Sequence, residues 1–205
     1  MGARQVSPLR TVRAFVAVRM NAGVEDSIAR FIAQARAPGD GIGWTPRDKL
    51  HVTLKFLGAD VDPERLGPIA EALASVASVT AAFDVRAHGT GAFPNLHRPR
   101  VIWAGLESEA LAHLARRVDQ AASETGFASE KRRWSPHLTL GRVRGPLGAS
   151  AAARVAAQAS EAEFGVSKIN EMRLYRSHLA ASAAAYETLA RFEFGAAVRI
   201  IPYGR

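Results

Sequence analysis

Cysteine is absent from the 205 residues, which excludes disulfides and thiolate metal sites and is compatible with a reducing compartment. Lysine is scarce: Lys49, Lys55, Lys131 and Lys168 are the only four, so 23 of the 27 basic residues are arginine. No apolar run approaches the roughly 20 residues that a membrane-spanning helix needs, and the N-terminus has no apolar signal-peptide core. The sequence therefore predicts a soluble, cytoplasmic protein. No glycine-rich phosphate loop follows a strand, which argues against a doubly wound nucleotide-binding sheet. No two histidines have the spacing of a helical zinc site, so neither a catalytic metal nor another cofactor is expected.

What is present describes a globular chain, with 48% hydrophobic and 22% charged residues. The length suits one large domain or two small lobes sharing a cleft. A formal charge of +8 suits a polyanionic partner. Coding bias towards Ala and Arg would raise the charge equally well. Position favours the partner, because Arg98, Arg100, Arg132, Arg133, Arg142 and Arg144 lie close to the motif segments described next.

The stretch His51-Val52-Thr53-Leu54-Lys55-Phe56-Leu57-Gly58 has a counterpart 86 residues later in His137-Leu138-Thr139-Leu140-Gly141-Arg142-Val143. Both read as strands, rich in β-formers and bounded by turn residues. Residues two apart on a strand share a face. Each copy thus points an imidazole and a hydroxyl one way, with Val52 and Leu54, or Leu138 and Leu140, facing a core. One His-x-Thr has little weight, since any half-buried strand can carry it. Two copies side by side would line a cleft suited to metal-free chemistry on a phosphate diester. One imidazole acts as base and the other as acid, while threonine hydroxyls donate to the non-bridging oxygens.

Helical spacing marks 24–37, closed by Pro38-Gly39, and Asp62-Pro63 opens a second helix whose inner face carries Leu66, Ile69, Leu73 and Val76. Strands are expected over 11–18, 82–87 and 100–106, the last two joined by a Gly/Pro-rich connection over 88–99. Ser108 caps a third helix that ends at Gly126, and 149–163 is helical by propensity. Three strands follow, over 168–179, 186–194 and 198–203, after a loose tail over 1–10 at the other end of the chain. The 86-residue spacing of the motifs suggests a duplicated α+β unit.

With these motifs, and with Arg13-Ala14-Phe15-Val16-Ala17, Phe93-Pro94-Asn95, Arg98-Pro99-Arg100-Val101-Ile102-Trp103-Ala104-Gly105 and Leu174-Tyr175-Arg176-Ser177-His178-Leu179, the chain resembles the two-histidine (2H) phosphoesterase superfamily. Within it, the resemblance is to the LigT-like RNA 2′,3′-cyclic phosphodiesterases, also called the RNA 2′-5′ ligase family. It implies an α+β fold in which residues 1–205 form a single domain of two pseudo-symmetric lobes, with antiparallel sheets facing a cleft and helices outside. It also implies hydrolysis of a terminal 2′,3′-cyclic phosphate on RNA to a 2′-phosphomonoester, with P–O3′ cleavage, and 2′-5′ ligation as the reverse chemistry. His51 is taken as acid and His137 as base, although the near-symmetric motifs do not themselves distinguish the two. Thr53 and Thr139 are expected to bind the phosphate. A diesterase for small cyclic nucleotides or ADP-ribose cyclic phosphate, and a non-catalytic module that binds RNA ends, are the alternatives. An ATP-dependent ligase has no nucleotidyl-transfer lysine motif to support it.

Phe56 and Arg142 stand five residues after His51 and His137. An aromatic face and a guanidinium plane are side chains that stack on nucleobases, and both are expected to bind substrate. Core packing for Phe56, and a surface charge or direct phosphate contact for Arg142, have equal weight. Trp44 and Trp134 are expected to brace the motif strands. His88, His97 and His113 read as surface residues, and Ser177 or His178 borders the cleft. The expected state is a monomer.

Overall fold

A computed structural model describes residues 11–179 and 184–196. The expected tail over 1–10 and the strand over 198–203 lie outside the described residues. Strand β1 (Val12–Val18) places Val12, Ala14, Val16 and Val18 in the core, by the alternation of its sequence. Helix α1 (Ala22–Ala35) is capped by Asn21, whose side chain accepts the Val24 N–H at 3.0 Å, and it buries Val24, Ile28 and Ile32. The short strand β2 (Ile42–Trp44), which the sequence did not signal, precedes β3 (Val52–Val61), the first motif strand. Asp62 caps a 3₁₀ turn that runs into α2 (Leu66–Ser78).

Strand β4 (Phe83–Phe93) is about twice the expected length and absorbs His88, which is therefore not in a loop. Its partner is β5 (Val101–Glu107), and Ser108 caps α3 (Glu109–Glu124), accepting the Leu111 N–H. Leu111, Leu114 and Val118 of α3 are fully buried, each contributing about 1.5–3 kcal/mol. The second motif strand, β6 (His137–Val143), leads to α4 (Pro146–Gln158). That helix ends before Glu163, which instead begins β7 (Glu163–Ile169). The single strand expected over 168–179 is two strands, because the chain changes sheet at Asn170 before β8 (Glu171–Leu179) and β9 (Ala184–Glu193).

The strands form two antiparallel sheets, β3-β1-β8-β9 and β2-β6-β5-β4-β7. Helices α2 and α3 cover the first sheet, while α1 and α4 cover the second. The late strands β8 and β9 return to the first sheet, and β2, from the N-terminal half, pairs with β6 in the second. The halves are thus interlaced and share one main core. Motif strands β3 and β6 approach each other where the sheets meet.

The segment before β6 is tied to β3 at two points. The Trp134 Nε1–H donates to the Thr53 carbonyl at 3.1 Å, and the buried Lys55 ammonium donates to the Ala128 carbonyl at 2.6 Å while pairing with Asp119 on α3. Removing one partner of a buried pair costs about 3–5 kcal/mol. Asp119 is partly open to solvent, so Lys55→Ala should cost about 2–3 kcal/mol, below that range. Urea denaturation that gave the same midpoint as the wild type would show that this tie contributes nothing to stability.

Candidate active site

Each motif strand carries one extra residue at the same place. Across β1 and β3, Ala17 faces Thr53 but Val16 faces Lys55; across β5 and β6, Trp103 faces Thr139 but Ile102 faces Gly141. Leu54 and Leu140 are therefore bulged, and the side-chain alternation changes phase after each threonine. Without the bulge, the fifth residue after each histidine would face away from the His-x-Thr side chains. With it, His51, Thr53 and Phe56 point into one cleft together with His137, Thr139 and Arg142. Lys55 is left on the core side, where it reaches α3.

The cleft has a volume of about 290 Å³. The opposite-face positions of β1 and β8 contribute Arg13, Phe15 and Ser177, and β9 contributes Tyr186. Thr45 and Lys49, from the approach to β3, also line it, and among the described residues the lining contains no carboxylate. His178 instead pairs with Glu187 at 2.8 Å, and His97 and His113 are exposed. Trp134 braces β3, whereas Trp44 donates to Asp40 and packs beside Gly141. The alternation of β1 that puts Val12, Ala14, Val16 and Val18 in the core leaves Arg13 and Phe15 on the other face, but nothing in it shows that this face looks into the cleft. Tyr186 lies too far along the chain for any local signal.

The two imidazoles are held alike. His51 Nδ1 is 2.8 Å from the Lys49 carbonyl and His137 Nδ1 is 2.9 Å from the Ser135 carbonyl, each two residues back. A carbonyl only accepts, so Nδ1 carries the proton in both rings and Nε2 is left for substrate. Ring contacts fix the orientations. His51 sits 5.0 Å from Phe15 and 5.1 Å, edge to face, from Tyr186, and His137 meets Phe93 edge to face at 4.9 Å. Among the described residues, neither the Thr53 nor the Thr139 hydroxyl has a protein acceptor, which leaves both free to donate. Phe56 is 44% exposed, and the Arg13 guanidinium covers one of its faces at 4.4 Å from the centroid. Among the described residues, this leaves the other face for a ligand.

Burial lowers the pKa of His51, as do the charges of Arg19, Arg142 and His137, against the hydrogen bond to Lys49. Burial also lowers that of His137, helped by Arg142 and opposed by the hydrogen bond to Ser135. Burial raises the Tyr186 phenol against the pull of Arg142 and Arg13. An anion in the cleft would offset these cationic charges and raise both histidines. No group of three or more His, Asp or Glu among the described residues could hold a metal ion.

Two sheets that present matched His-x-Thr strands across one cleft define a two-histidine phosphoesterase. Residues 24–180 match the family described as the 2′-5′ RNA ligase superfamily, and the chain belongs to it. It is 32% identical to a protein of Methanothermobacter thermautotrophicus named RNA 2′,3′-cyclic phosphodiesterase, over 88% of this chain and 98% of that one. Its fold is similar to that of a Thermus thermophilus protein solved by crystallography, with a TM-score of 0.78, 27% identity and coverage of 89% and 98% of the two chains. It is also similar to Escherichia coli LigT complexed with phosphate, with a TM-score of 0.71, 25% identity and coverage of 90% and 98%. No helix among the described residues is long and apolar enough to cross a membrane.

In an NMR titration of the free protein, both imidazoles should titrate below the ordinary 6.5 with the neutral proton on Nδ1. Arg142 depresses both, so Arg142→Ala should raise both midpoints. Midpoints that stayed in place would show that this guanidinium does not set the potential of the cleft.

Proposed function

We propose that this chain is an RNA 2′,3′-cyclic phosphodiesterase that opens the cyclic phosphate by water attack and leaves a 2′-phosphomonoester. The observation that carries the reading is the matched pair of imidazoles, each anchored through Nδ1 with Nε2 free, beside two unpaired hydroxyls and the Arg142 guanidinium. The names of relatives such as that of M. thermautotrophicus support the substrate class, an RNA 2′,3′-cyclic phosphate.

In this mechanism His137 Nε2 takes a proton from water as the oxygen attacks phosphorus. The P–O3′ bond opposite breaks, and His51 Nε2 gives its proton to O3′. His137 ends protonated and His51 neutral, and exchange with solvent restores the pair. Thr53, Thr139 and Arg142 stabilise the charge that builds on the non-bridging oxygens. In the empty cleft His51 has more cationic neighbours than His137, so its protonation depends on the substrate's negative charge. The exposed face of Phe56 stacks on the terminal base, with Arg142 as the second plane. Ligation of a 5′-hydroxyl end is the reverse chemistry, and mass action in water disfavours it. The chain acts as a cytoplasmic monomer, a single domain in which each lobe supplies one imidazole, with no cofactor.

On RNA ending in a 2′,3′-cyclic phosphate, with chelator present, His51→Ala and His137→Ala should each lower turnover by about a hundredfold to ten-thousandfold. The wild type should yield only the 2′-phosphate. A nitrophenyl diester, whose leaving group needs no proton, separates the two roles: His51→Ala should lose far less on it than His137→Ala. The opposite order would exchange acid and base, and full activity in the double variant would end the two-histidine reading.

A further inference from the structure

A second groove, of about 630 Å³, shares His137 with the cleft. One wall is Phe93 and Pro94 at the end of β4, with Arg100 and Val101 where β5 begins. The other is the segment over 130–135, which presents Trp134 between Arg133 and Ser135. The groove combines apolar and aromatic surface with three exposed guanidiniums, those of Arg100, Arg132 and Arg133. Among the described residues none of the three is paired with a carboxylate. Glu130 also lines the groove, where its carboxylate accepts the Arg132 backbone N–H at 3.2 Å. Three guanidiniums against one carboxylate leave the groove net positive. Its aromatic rings are fixed by the active site itself: Trp134 is pinned to the Thr53 carbonyl, and Phe93 lies against the His137 ring.

We propose that this groove is a second nucleotide subsite, which takes the nucleotide immediately 5′ of the cyclic-phosphate terminus in single-stranded RNA. The proposal rests on the phosphodiesterase reading. The groove begins at His137, beside the reacting phosphate, so a strand whose last nucleotide fills the cleft continues into it. A base stacks on the Trp134 and Phe93 surface, and the connecting phosphate lies among the three arginines. Stacking combined with cationic contacts is the usual way of holding single strands without reading their sequence. The groove volume falls in the range of ligand clefts, at about 300–1,000 Å³. The site thereby prefers an oligonucleotide to a mononucleotide while remaining tolerant of sequence.

The test compares kcat/KM for a nucleoside 2′,3′-cyclic phosphate and for an oligonucleotide with the same end, in the wild type and in R100A/R132A/R133A. The variant should keep its mononucleotide kcat/KM within about twofold and lose about tenfold or more on the oligonucleotide, mostly through KM. The dependence of log(kcat/KM) on log salt should also flatten, by about 0.7 for each phosphate that the variant no longer neutralises. Equal losses on both substrates would reduce the arginines to a structural role, and an unchanged oligonucleotide preference would leave the groove without this strand. If the variant instead lost only inhibition by a separate 5′-hydroxyl oligonucleotide, the groove would belong to the acceptor strand and the proposal would fall. Should the wild type turn over neither substrate, the phosphodiesterase reading fails by itself. Fluorescence anisotropy of an oligonucleotide ending in a 2′-phosphate then decides the groove: a tenfold loss of affinity in the variant supports it, and unchanged affinity overturns it.

Discussion

The cleft depends on one constraint, the phase of side chains along the two motif strands. A regular strand would put His51 and Thr53 on one face and Phe56 on the other, and it would send Lys55 into the cleft. One bulged leucine in each strand reverses the phase after the threonine, so that the offsets of zero, two and five share a face. The same bulge occurs in both sheets, which makes the pseudo-symmetry a matter of backbone register as well as of sequence. Leu54 and Leu140 are both buried, so core packing holds the bulges in place.

The lobes are bound by more than the meeting of two sheets. The strands interlace: β2 joins the second sheet, and β8 and β9 return to the first. The stretch that delivers His137 is fastened to the strand that follows His51, through Trp134 and through the buried ammonium of Lys55. Precise placement of acid–base groups counts for much in catalysis, since small displacements are costly. A direct hydrogen bond from the approach to one motif to the backbone of the other is a physical means of coupling their positions.

Electrostatically the cleft is prepared for an anion. Among the described residues it has no carboxylate in its lining, several cationic side chains, and two histidines whose charged forms are disfavoured by burial. A phosphate in the cleft would bring the negative charge that offsets the cost of protonating an imidazole there. Burial thus keeps both rings neutral over more of the pH range than a free imidazole.

Much of this was legible in the sequence. Local patterns carried the paired His-x-Thr strands, the turn and helix capped by Asp62 and Ser108, and the α+β class, because capping and alternation act between near neighbours. The matched offset of Phe56 and Arg142 was also visible, but not the reason that it works: a bulge is a relation between a strand and its partner, and the alternation of one strand alone points the wrong way. The break at Asn170 was invisible for a similar reason, since 168–179 is rich enough in β-formers to read as continuous and only pairing assigns its two parts to different sheets. Arg13, Phe15 and Tyr186 show nothing locally that sets them apart from other strand residues, and His88 looked like a loop residue because Gly89 and Gly91 obscured β4. The sequence by itself determined which side chains could do the chemistry and on which elements they ride, through periodicity and short-range hydrogen bonding. Only the tertiary structure decided which faces meet, which aromatic rings lie against which histidine, and where the arginines gather, because these depend on contacts between segments far apart in the chain.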